Sequence, residues 1–90
     1  GTEPDLWTSA TPPAEIILPG DGMRLAWDPD IPADRQRLAL TAVNAPPGSR
    51  WQVNGADWPD SDWPVTRGRF VVDLIDHAGR TLDSVRFEVR

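Results

Sequence analysis

Apolar and polar residues alternate with a period of two along most of this chain, and the alternation predicts strands. Arg69 to Asp76 sets Phe70, Val72 and Leu74 on one face and Val71 and Ile75 around Asp73 on the other, so both faces are expected to be partly covered. Val85, Phe87 and Val89 alternate with Arg86, Glu88 and Arg90, which gives one apolar face and one charged face. Trp51 and Val53 share a face within Arg50 to Asn54. The expected structural anchors are therefore Trp51, Phe70, Val72, Leu74 and Phe87. Upstream, Leu38, Leu40 and Ala42 alternate with Ala39 and Thr41, and two shorter runs cover Glu15 to Leu18 and Met23 to Trp27. No segment has the period of a helix longer than two turns.

Turn residues separate these runs. Pro19-Gly20-Asp21-Gly22, Asp28-Pro29-Asp30-Ile31-Pro32 and Ala45-Pro46-Pro47-Gly48 each break the pattern. Asn54-Gly55 is a hairpin signal, because both residues tolerate the positive φ that tight turns between twisted strands require. In Asp76-His77-Ala78-Gly79 the Asp carboxylate can accept a backbone N–H two residues on, which closes a second turn. The Ala56 to Pro64 region reads as an acidic, Trp-bearing loop or a pair of very short strands. About seven short antiparallel strands without helices predict an all-β, Ig-like Greek-key β-sandwich. Residues 15–90 would form it, and residues 1–14, with Pro4, Pro12 and Pro13, read as a Pro-rich linker that Trp7 could tether. The opening Gly1-Thr2-Glu3-Pro4, without a Met, reads as a piece of a longer protein.

Composition then removes whole classes of function. Ninety residues hold one small core, and a net charge of −5 would repel a phosphate backbone, so nucleic acid is not an expected partner. Without Cys there is neither a disulfide framework nor a thiolate metal site. No stretch approaches the roughly 20 apolar residues that span a bilayer, so direct membrane insertion is not expected.

Taken in order, Ile17-Leu18-Pro19-Gly20-Asp21-Gly22, Arg35 to Leu40, Trp51-Gln52-Val53-Asn54-Gly55, Trp63, Gly68-Arg69-Phe70 through Asp76-His77-Ala78-Gly79-Arg80, and Val85-Arg86-Phe87-Glu88-Val89 resemble the C-terminal Ig-like domain of PbpC-type penicillin-binding proteins. The chain departs from the family pattern at Phe70, often His, and at Asn54, often Asp; neither change disturbs strand or turn. The resemblance implies a parent that is a bifunctional peptidoglycan synthase of Gram-negative bacteria, anchored in the inner membrane with its bulk in the periplasm. Its glycosyltransferase and transpeptidase domains would lie N-terminal to this region, with their catalytic residues outside this chain.

The candidate chemistry in the chain itself is thin. Transpeptidase motifs S-x-x-K and K-T-G need a Lys, and all nine basic residues here are Arg. Ser61-Asp62-Trp63 lacks the Asn of S-D-N, and His77, the only imidazole, sits in a turn without an evident nucleophile or orienting group. Acidic clusters at Asp57, Asp60 and Asp62 and at Asp28, Asp30 and Asp34 lack the loop Gly and distal Glu of an EF-hand, and read as solvated loops. A glycosidase pair would need a water-excluding cleft that so small a sandwich rarely forms. No catalytic residue, metal or cofactor is expected. The one feature with binding potential is the Ala56 to Pro64 loop, where Trp58 and Trp63 could stack on sugars beside Asp60 and Asp62, although Trp63 also stands where the family has a structural Trp and packing within the fold is the default reading of both rings. A second patch is the sheet face carrying Val71 and Ile75, which another domain could cover. The expected function is a monomeric, non-catalytic periplasmic accessory domain. It would position the catalytic domains or dock a partner, which is the upstream transpeptidase domain or another cell-wall protein. A stand-alone glycan-binding module with peptidoglycan as ligand is the alternative, and an adhesion or filament repeat a third reading.

Overall fold

The computed structural model describes residues 13–90. Nine strands follow one another: β1 (Glu15–Leu18), β2 (Met23–Leu25), β3 (Arg37–Ala39), β4 (Thr41–Val43), β5 (Arg50–Val53), β6 (Ala56–Trp58), β7 (Asp62–Pro64), β8 (Gly68–Ile75) and β9 (Thr81–Val89). A single 3-10 turn at Ala33–Arg35 is the one helical element among the described residues, and none of them forms a helix long and apolar enough to cross a membrane. The count exceeds the expected seven for two local reasons. The Arg37 to Val43 run breaks at Leu40, and the Ala56 to Pro64 region takes the second of its two expected forms, a pair of very short strands, β6 and β7. Most of the expected linker, including Trp7, lies outside the described residues; Ala14 already packs on the core.

The strands form two layers of an all-β sandwich. One is a five-stranded sheet in the order β2-β9-β8-β5-β6. The other is built from the antiparallel pairs β1-β4 and β3-β7. Leu40, between β3 and β4, donates its N–H to Ser61 O at 2.6 Å, which carries the pairing across the break. One pairing differs from the antiparallel expectation: β2 runs parallel to β9, with Met23 opposite Phe87 and Leu25 opposite Val89. Alternation reports which face a residue occupies, not the direction of the strand beside it. The turn at Pro19–Gly22 lifts the chain out of the β1 layer and delivers β2 to the edge of the other sheet. There Gly22 N–H donates to Arg86 O at 2.7 Å, Arg90 N–H to Leu25 O at 2.9 Å and Trp27 N–H to Arg90 O at 2.7 Å.

Register aligns the apolar rows. Phe70 faces Phe87, Val72 lies between Val85 and Val53, and Trp51 lies between Leu74 and Trp58, all on the inner face of the five-stranded sheet. Ile16, Leu38, Leu40 and Trp63 meet them from the second layer. Each such side chain taken from water stabilises the fold by roughly 1.5–3 kcal/mol, an upper estimate because the unfolded chain is already partly collapsed. At the centre the Trp63 indole stands edge-on to Phe70 at 4.7 Å and to Phe87 at 5.4 Å between centroids. The layers are also tied by a polar contact, since Asp83 Oδ2 on β9 accepts the Ile16 N–H at 2.8 Å. Trp51, expected as a core anchor, is half-buried; among the described residues the buried tryptophan is Trp63, at 5% exposure. β5 lies one strand from the sheet edge and is followed only by the three-residue β6, so the Trp51 ring is incompletely covered. β7 places Trp63 squarely between the layers.

Candidate functional site

The loop that the sequence offers for sugar stacking is built as follows. Asn54 and Gly55 adopt φ of 52° and 81°, and the Asn54 side chain bonds β8, its Oδ1 accepting Val71 N–H at 2.8 Å. This hairpin returns the chain as β6 and puts Trp58 opposite Trp51. Trp58 is half-buried and its indole N–H donates to Asp62 O at 3.2 Å. Asp60 Oδ1 accepts Asp62 N–H at 3.3 Å, and the Asp62 carboxylate pairs with Arg37. The polar groups of Trp58 and Asp62 are thus engaged within the fold. Trp63 faces inward onto Phe70 and Phe87, as the packing reading of this loop expects, so it presents no ring to solvent and is not available to stack on a sugar.

The second expected patch also divides. Ile75 is 3% exposed and unavailable to a ligand, because the register shift between Leu74 and Ile75 interrupts the alternation that would have kept it beside Val71. Val71 stays half-buried on the outer face and borders an open groove of about 470 Å³ across β2, β9 and β8. Around it stand Arg24 from β2, Arg69 from β8, and Arg86, Glu88 and Arg90 from β9 and its end. All four Arg are exposed. Glu88 sits among them and approaches Arg90 at 3.3 Å and Arg69 at 3.7 Å; pairs this exposed contribute about 0–1 kcal/mol each. Asp21 lies at the rim, where its Oδ1 accepts Arg86 N–H at 3.0 Å. The charged-out pattern of Arg86, Glu88 and Arg90 was visible in sequence. What it could not show is the parallel pairing that sets Arg24 opposite Glu88 and completes the row with Arg69.

The remaining candidates are turn chemistry. Asp76 Oδ1 accepts N–H groups of Arg80 at 2.8 Å and Ala78 at 2.9 Å; the Arg80 bond, the largest influence, and the Ala78 bond hold this carboxyl below its usual value. His77 is exposed in the same turn and packs beside Gly48. Gln36, a buried polar side chain, is fully engaged: its amide donates to Asp28 O and Ile31 O at 2.8 and 3.0 Å and accepts Asp28 N–H at 3.0 Å. Among the described residues no three His, Asp or Glu side chains converge on a point that could hold a metal ion.

Searches of curated proteins and of solved structures returned no match. A family model does match. The description it carries is the C-terminus family of penicillin-binding proteins, and it runs over residues 4–87, the whole sandwich but for its last strand's end, and most of the segment before it. The chain belongs to the penicillin-binding protein C-terminus family.

Proposed function

We propose that this chain is a non-catalytic accessory domain of a bifunctional peptidoglycan glycosyltransferase and transpeptidase, located in the periplasm as part of an inner-membrane-anchored parent. It positions the catalytic domains or docks a partner during cell-wall synthesis. Family membership over residues 4–87 carries this reading. The site geometry supports docking over sugar binding, because Trp63 is buried and Trp58 is tied to Asp62, whereas the outer face of β2, β9 and β8 stands open.

Two measurements test the reading. Intact-mass analysis after incubation with a labelled penicillin is expected to leave the isolated chain unmodified, since acylation needs a Ser activated by a Lys; a stable adduct would sink the non-catalytic reading. Titration of the labelled chain with the parent's transpeptidase region is expected to move amide resonances on one face. Binding of soluble glycan strands at Trp58 and Asp60, with no response to the transpeptidase region, would establish the glycan-binding module instead.

A further inference from the structure

Charge is distributed unevenly over this molecule. The groove on the outer face carries Arg24, Arg69, Arg86 and Arg90 against Glu88 and, at its rim, Asp21, a local charge of +2. The chain as a whole is −5, so the groove is opposite in sign to the molecule's net charge. An anionic partner is therefore repelled by most of the surface and attracted to one face, which orients its approach before contact. Three strands contribute to the row of guanidinium groups, and strand pairing fixes their spacing: Arg24 opposite Glu88 opposite Arg69. Val71 supplies an apolar floor, and the aliphatic stems of the Arg side chains extend it.

We propose that this groove is a docking site for an acidic polypeptide segment of a partner protein, with carboxylates meeting Arg24, Arg69, Arg86 and Arg90 and an apolar side chain resting on Val71. The proposal rests on the docking reading above and adds the surface and the chemistry of the partner. Guanidinium forks bind carboxylates in bidentate fashion, so they give an acidic segment both attraction and register. A glycan is a poorer occupant, because sugars need a ring to stack on. Phe70 and Phe87 contribute to the groove's lining, but their rings stack on each other and meet Trp63 in the core. Glu88 holds Arg69 and Arg90 in place and offers a competing carboxylate, which an incoming acidic segment would displace.

The test is a titration of the isotope-labelled 90-residue chain by NMR. One probe is a capped octapeptide alternating Glu and Val. The others are its Lys and Val counterpart, polygalacturonate, and the parent's transpeptidase region. The Glu peptide is expected to shift the amides of Arg24, Arg69, Val71 and Arg86, and to bind at least about tenfold more weakly when salt is raised from about 20 mM to about 300 mM. The double reversal Arg24→Glu with Arg86→Glu should abolish those shifts. Both positions are exposed, though the new carboxylate at position 24 faces Glu88, so a slightly lower urea midpoint is expected, and a retained spectrum verifies that the variant is folded. Absence of shifts at millimolar Glu peptide, or equal binding of the Lys peptide, overturns the proposal. Polygalacturonate binding the groove more tightly than the Glu peptide overturns it in favour of an anionic glycan. Concentration-dependent self-association lost in the double reversal assigns the face to a second copy of the chain, which also overturns it. If the transpeptidase region shifts resonances outside the groove while the Glu peptide moves none, docking stands and the acidic-segment chemistry fails.

Discussion

Replacing Trp63 with Ala removes an indole that two phenylalanine rings meet at 4.7 and 5.4 Å, and is expected to lower stability by about 3–5 kcal/mol. That is a large part of the roughly 5–13 kcal/mol typical of a chain this size. Trp51→Ala should cost less, because its ring is only half-buried and the neighbouring Trp58 can settle into the space. Urea midpoints of the two variants decide the ranking, and a greater loss at Trp51 would contradict the packing described here. Asp76 gives a pH dependence with a definite sign. Its folded-state carboxyl is held below the usual 3.8, chiefly by the Arg80 N–H. The stability it contributes is therefore present above that value and lost as pH falls through the depressed one. Asp76→Asn should make the chain less stable at neutral pH, and the gap to wild type should close on acidification below about 3.8. A gap constant from neutral pH to pH 2 would remove the carboxylate from the account.

Among the elements, the β5–β6 hairpin shows how one residue serves two purposes. Asn54 takes a positive φ and also bonds β8, donating its own N–H to Val71 O and accepting Val71 N–H on its side chain, each at 2.8 Å. Asn54→Gly keeps the turn and loses the side-chain bond; Asn54→Ala loses both. Thermal unfolding should rank them wild type, then Gly, then Ala, with Ala about 1–2 kcal/mol below wild type. A Gly variant as poor as Ala would show that backbone conformation is not limiting. The hairpin was legible in the sequence because Asn54-Gly55 is a local signal. So were Val72, Leu74 and Phe87 as inward positions, because alternation fixes a face within one strand. Two things were not legible, since each depends on residues distant in sequence. The break at Leu40 is bridged by Ser61, and the basic row needs β2 beside β9. Ile75 was misplaced because a register shift carries no mark in a run of apolar residues.

At the scale of the molecule, the two layers share a single core cluster, and Trp63 of one layer is caged by Phe70 and Phe87 of the other. Neither sheet retains a covered face without its partner. Trp fluorescence and far-ultraviolet dichroism should therefore report one urea transition with the same midpoint, and separated midpoints would show that the layers unfold independently. The parallel edge adds a mechanical consequence. Because β2 and β9 run in the same direction, pulling the chain apart at points before β2 and after β9 slides the two strands along each other. Their hydrogen bonds then resist together, with Arg90 and Leu25 at one end and Gly22 and Arg86 at the other, instead of opening one by one. Force applied across the β8–β9 hairpin, whose strands are antiparallel, would unzip it in sequence. Single-molecule extension is expected to need a higher rupture force in the first geometry than in the second. Tension entering between β1 and β2 and leaving after β9 would therefore be borne along the whole length of this edge at once.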